Sequence, residues 1–175
     1  MDIKKITKKI YKAFPNSSRP EIAVDELGHC LTCDETQEAH RTLKVLKYVT
    51  ANDFRLCHIS LESLSASAFL YYMPRLLELA ITEENTTKGL LAGNFIISFV
   101  DQLVPNKWGD RFDFYGKEKI DIIIEVLNIL IYKNYMEYYE EWDYDLEIMI
   151  DKTDKKELVE VCEKTLIFWE NKRRK

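Results

Sequence analysis

A chain of 175 residues is the size of one domain and can bury roughly 70% of its unfolded surface in a single core. Hydrophobic residues at 46% and charged residues at 31% exclude a disordered tail, and 5 Gly and 4 Pro are too few for a sandwich or propeller with its many tight turns. The net charge of -5 argues against a generic nucleic-acid binder, whose affinity comes from Lys and Arg neutralising phosphates.

Ile3, Ile6, Ile10 and Phe14 recur at spacings of three and four, which predicts a short amphipathic helix with its lysines outward, stopped by Pro15. Prolines, serines and an asparagine then predict a surface loop over 15–28. Asp34 is placed to cap a helix through Ala39, Leu43 and Leu46 that ends near Tyr48, with Glu35 and Glu38 close to its positive end. Ser65 suits as the cap of an apolar helix carrying Phe69, Leu70, Tyr72, Met73, Leu76, Leu77 and Ala80. Pro74 inside it removes a backbone donor and disfavours helical geometry at Met73, so a kink or a break is expected there. Thr86 and Thr87 offer the next cap, for a segment running to Val104 before Pro105, whose 95–100 portion also fits a strand.

Two glycines, two aspartates and several aromatics over 108–116 predict a packed loop. Residues 117–133 are apolar on nearly every side except at Asp121, Glu125 and Asn128, the pattern of a bundle's central helix. The lone polar residues of these helices, Asn94, Asp101 and Asn128, are read as satisfying backbone groups or pointing outward. An acidic and aromatic tract continues the helix through Tyr144, residues 151–154 predict a turn with a second cap, and Leu158, Val161, Cys162, Thr165, Phe168 and Trp169 line a closing helix. No repeat, low-complexity tract or linker divides the chain. The expectation is an all-α fold, with 1–175 forming one compact bundle of about six helices and basic ends at 1–12 and 172–175. No apolar run reaches the roughly 18 residues of a membrane helix, and no secretory leader is visible, so a soluble, cytoplasmic protein is expected.

Cys30 and Cys33 form a Cys-x-x-Cys pair, with His29 beside it, His40 seven residues on, and Cys57 and His58 further along. Tetrahedral zinc needs four N or S ligands, which Cys30, Cys33, His40 and either Cys57 or His58 would supply, although a strong zinc motif has two spaced pairs and this chain has one. A redox reading needs a thiolate at a helix start, which Cys33 just before Asp34 fits loosely. No βαβ pattern accompanies it, and nearby carboxylates raise a thiol's pKa. The simplest alternative is two reduced cysteines packing a loop onto a helix, with Cys162 in the core. No hydrolase elbow, P-loop, His-Glu-x-x-His or dinucleotide fingerprint is present, so no catalytic residue is assigned and a non-enzyme is expected.

From Tyr135 to Glu147 there are six acids, five aromatics and no base. Tyr and Trp bring large rigid contact area, while carboxylates steer a basic partner, so Tyr138, Tyr139, Glu140, Glu141, Trp142, Asp143 and Asp145 are the candidate contact set. Tyr135, Tyr138, Tyr139 and Trp142 also match helical spacing, and the competing reading turns them into the core with the acids outward.

The segment SASAFLYYMPRLLELA from Ser65 to Ala80, downstream of the Cys-x-x-Cys, resembles a bacterial family of small proteins classified only as a domain of unknown function. The helix from Ile120 and the closing helix with Phe168 and Trp169 are compatible in placement, so the resemblance covers Tyr11 to Trp169. Its motifs are apolar, and it implies packing without an activity. The functional expectation is a non-enzymatic bacterial or phage protein-binding module of immunity or inhibitor type, covering a basic surface of a toxin or nucleic-acid-handling enzyme. Neither nucleic acid nor membrane is its direct partner, and self-association is compatible with it. The alternative is a zinc-binding or thiol-active module built on Cys30 and Cys33.

Overall fold

The computed structural model describes residues 2–15, 18–25, 30–43, 49, 60–82, 90–105, 111–140 and 146–175, with side-chain detail outside 90–95, 133–140 and 146–155. Six helices occupy these residues: α1 (Ile3–Ala13), α2 (Leu31–Thr42), α3 (Ala66–Thr82), α4 (Leu90–Asp101), α5 (Lys117–Glu140) and α6 (Leu146–Arg174). The fold is all-α. Extended pairing among the described residues is limited to one isolated antiparallel bridge, Val24 with Leu64. The 95–100 segment, which also fitted a strand, is helical.

The amphipathic start behaves as its spacing predicts at three of its four apolar positions, with Ile3 exposed at the helix start. Asp2 caps α1 by accepting the Lys5 N–H at 3.1 Å, Ile6, Ile10 and Phe14 are buried, and the Phe14 N–H closes the last turn on the Ile10 carbonyl at 3.0 Å before Pro15. Tyr11 ties α1 to α3 by donating to Glu78 Oε2 at 2.7 Å, and Arg75 holds the same carboxylate at 2.6 Å. Ser65 caps α3: its Oγ accepts the Ala68 N–H at 3.3 Å and its carbonyl the Phe69 N–H at 2.8 Å. Of the kink or break expected at Pro74, the break does not occur: α3 runs from Ala66 to Thr82 through the proline. Pro74 leaves the Leu70 carbonyl without its helical donor. Burial of Pro74 with Tyr72, Met73, Leu76 and Leu77 offsets that loss at roughly 1.5–3 kcal/mol for each large apolar side chain.

Two other boundaries differ from expectation. The second helix begins at Leu31, three residues before the predicted cap Asp34, and Cys30 is its N-cap. It ends at Thr42, where the Leu43 N–H and the Thr42 hydroxyl both donate to the Ala39 carbonyl, while Leu46 and Tyr48 lie outside the described residues. The turn expected at 151–154 is helical backbone inside α6, which extends unbroken for 29 residues. That stretch contains neither Gly nor Pro, and a capping residue starts a helix only where the preceding chain has left one.

The longest two helices, α5 and α6, make the main helix–helix contact, α4 lies on α6, and α1 packs on both α3 and α5. Near the C-terminus of α6, Lys172 reaches Asp113 at 3.2 Å and Arg173 reaches Asp121 at 3.7 Å, so the two helices run antiparallel. Helix α5 is buried nearly all round from Ile120 to Leu130, and its polar Asn128 donates to the Ile124 carbonyl at 2.9 Å. Of the packed loop predicted over 108–116, residues 108–110 lie outside the described residues, and Phe114 in the remainder is exposed. Phe112 and Tyr115 enter a ring cluster in which Phe112 lies 6.0 Å from Phe69 and 5.0 Å from Trp169, centroid to centroid. No helix of the described residues is long and apolar enough to cross a membrane.

Candidate functional site

The start of α2 carries the densest chemistry that the described residues show. Cys30 adopts an extended backbone at the N-cap, and its Sγ accepts the Cys33 N–H at 3.4 Å. The two sulfurs are hydrogen-bonded at 3.2 Å and are not joined by a disulfide. Cys30 is exposed and Cys33 half-buried. A sulfur at a helix N-terminus sits against the positive end of the helix dipole, which favours its thiolate. The Cys33 thiol is pushed up, first by its hydrogen bond to Cys30, then by burial and the charge of Cys30, against a lowering hydrogen bond from Ser63, with Asp34 adding a small rise. The nearby carboxylate is therefore a minor influence on Cys33.

Helix α2 is held in place from its inner face. Gln37 accepts the Ala23 N–H at 2.7 Å and donates to the Glu21 carbonyl at 3.0 Å, and Thr36 accepts the Ser60 N–H at 3.1 Å. His40 completes the attachment. Its Nε2 lies 2.7 Å from the Pro20 carbonyl and its Nδ1 2.8 Å from the Tyr72 hydroxyl. A carbonyl can only accept, so Nε2 carries the proton and Nδ1 accepts from Tyr72 in the neutral ring. Gln37 and His40 thus fix the segment 20–24 onto α2. Sequence reasoning missed Gln37, and the only available signal was a polar residue one turn before a histidine on the same face.

The zinc set comes together only in part. Cys30 and Cys33 are adjacent, whereas His40 lies two helical turns beyond Cys33, about 10 Å along the axis, with both ring nitrogens engaged. Cys57 and His58 lie outside the described residues. Among the described residues, no group of three or more His, Cys, Asp or Glu side chains is placed to hold a metal.

Burial holds His40 below its usual value of 6.5, with the Pro20 bond opposing and the Arg19 charge adding to the depression. The unfolded chain then takes up this proton at a higher pH than the folded one, so stability is lost as pH falls from 6.5 toward the folded value. Thermal denaturation followed by circular dichroism should show a lower Tm at pH ~5.5 than at pH ~7.5, and His40→Gln should flatten part of that slope. An unchanged slope in the variant would assign the pH dependence elsewhere.

Of the candidate contact set, Tyr138, Tyr139 and Glu140 lie on the last turns of α5, and their side chains are not among those described. Glu141, Trp142, Asp143 and Asp145 lie outside the described residues. The basic ends are better defined: Lys9 pairs with Glu125 at 2.7 Å, and Lys172 and Arg173 reach Asp113 and Asp121. Both ends of the chain therefore meet the first half of α5, about 22 Å along the helix from Glu140, counting from Glu125. No protein-family model, curated protein or solved structure matches this chain.

Proposed function

We propose that the protein is a protein-binding module of immunity or inhibitor type, which uses the hairpin end of α5 and α6 to take up a basic surface on a toxin or nucleic-acid-handling enzyme, a role that calls for no catalysis at that end. The observation that carries this reading is a segregation of charge along α5. The basic chain ends pair with Asp113, Asp121 and Glu125 around the start of the helix, while its opposite end leads into six acids and five aromatics over 135–147 without a base. The helical backbone continues to Glu140, ten residues past Leu130, where the buried run gives way to Ile131 and to a Tyr132 that is 67% exposed. Carboxylates so placed accelerate encounter with a basic partner, and Tyr and Trp supply the rigid contact area on which interface affinity concentrates.

The test combines native mass spectrometry of the protein captured gently from its own cells with charge reversal. A stoichiometric protein partner released by raised salt is expected. The triple substitution Glu140→Lys, Glu141→Lys and Asp143→Lys should weaken that partner by at least about tenfold, roughly 1.4 kcal/mol, with an unchanged circular dichroism spectrum. Binding that survives the triple substitution would remove the site from this end of the hairpin.

A further inference from the structure

We infer that Cys30 and Cys33 are a redox-active dithiol that exchanges with a substrate disulfide, an activity independent of the acidic tract. Three observations support it. The geometry of attack is present: Cys30 is exposed at the N-cap of α2, where its sulfur receives the Cys33 N–H and faces the positive end of the helix. The geometry of resolution is present as well, because the Cys33 sulfur is half-buried behind Cys30 at 3.2 Å, about 1 Å beyond a disulfide bond length of roughly 2 Å. Finally, the platform is fixed and one apolar side chain stands exposed beside the pair. Gln37, Thr36 and His40 pin the inner face of α2, and Leu31, the residue after Cys30, is 73% exposed.

The exchange proceeds in two balanced steps. Cys30 releases its thiol proton to solvent, and the sulfur attacks one sulfur of the substrate disulfide. A Cys30–substrate disulfide forms, the substrate S–S bond breaks, and the departing thiolate takes up a proton. Cys33 then releases its proton and attacks Cys30 Sγ, forming the Cys30–Cys33 bond and expelling the second substrate thiolate, which is protonated in turn. The substrate is reduced to two thiols, and the cysteine pair is oxidised by two electrons. Run in reverse, the oxidised pair delivers a disulfide to a dithiol.

The substrate class is a disulfide, of a small thiol or of a protein, and two probes separate the sources. The full chain is equilibrated with oxidised glutathione over a range of ratios, and separately its reduced form is mixed with insulin. Thiols are then blocked by alkylation, and the tryptic peptide ending at Arg41, which carries both cysteines, is mapped by mass. In the wild type this peptide should gain one internal disulfide per chain. Cys33→Ser should accumulate glutathione on Cys30, because the resolving sulfur is gone. Cys30→Ser, in which serine preserves the helix cap, should react at Cys33 at least about tenfold more slowly than Cys30 reacts in Cys33→Ser. Reduction of insulin assigns a protein disulfide as substrate, and consumption of oxidised glutathione alone assigns a small one. Two alkylatable thiols at every glutathione ratio, or equal rates in the two single variants, would overturn the inference.

Discussion

Replacing Arg111 by Ala is expected to lower the unfolding free energy by about 3 kcal/mol or more, read from urea denaturation followed by circular dichroism. Arg111 sits in the loop before α5 with 7% of its surface exposed. Its Nη1 donates to the Leu61 carbonyl at 2.9 Å and the Leu64 carbonyl at 3.1 Å, its Nη2 donates to Gln102 Oε1 at 2.9 Å, and the guanidinium lies 4.3 Å from the Phe69 ring centre. One planar group thus joins the turn before α3, the turn after α4 and a core ring of α3. Truncation removes the donor to two main-chain acceptors and one side-chain acceptor, and it takes away the stacked face of Phe69. Arg111→Lys keeps the charge but not the fork, so it should recover only part of the loss. A loss below about 1 kcal/mol for Arg111→Ala would mean that water replaces those donors at no net cost.

Trp169→Ala should cost about 3–5 kcal/mol in the same measurement. Trp169 is fully buried on α6, with ring centroids 5.0 Å from Phe112, 5.9 Å from Tyr115 and 5.3 Å from Phe168. Removing the indole opens a cavity where α6 meets the loop that leads into α5, and the surrounding rings are held by further contacts that limit their collapse. Trp169→Phe should cost clearly less. It keeps most of the ring volume, and the indole N–H that it deletes has no hydrogen-bond partner among the described residues. Equal losses for Ala and Phe would show that the shape of the indole, rather than buried volume, sets the stability.

Both variants act on the core and leave the start of α2 exposed, so they provide a control for the thiol experiment. Arg111 nevertheless touches the same framework. Leu64 pairs with Val24, and the Ser65 N–H donates to the Ala23 carbonyl at 2.8 Å, which joins the turn held by Arg111 to the segment that Gln37 fixes on α2.

The candidate sites were legible to different degrees for physical reasons. The Cys-x-x-Cys spacing is visible to inspection, but its geometry depends on where the helix begins. Asp34 is the better cap by propensity. Yet the structure starts α2 one turn earlier, leaving Asp34 inside the first turn and turning Cys30 into the cap. His40 looks like a ligand in a chain with three histidines, and it is used instead to fasten a loop. That role requires Pro20 and Tyr72, which are 20 and 32 residues away.

The sequence by itself determined the helical class, the face of α1, the cap at Ser65, the burial of α5 and the packing of Phe112 and Tyr115 before it. All of these follow from local periodicity or from a single capping side chain, interactions that span at most a few turns. Tertiary structure decided that α3 passes through Pro74 and that Arg111 and His40 serve as fasteners, whereas the start of α2 at Leu31 and the passage of α6 through 151–154 differ from expectation at the local level. Arg111 and His40 find their partners as far as 50 and 32 residues away, and the burial of Pro74 outweighs a local cost of about 3 kcal/mol; such contacts leave no periodic mark on the sequence.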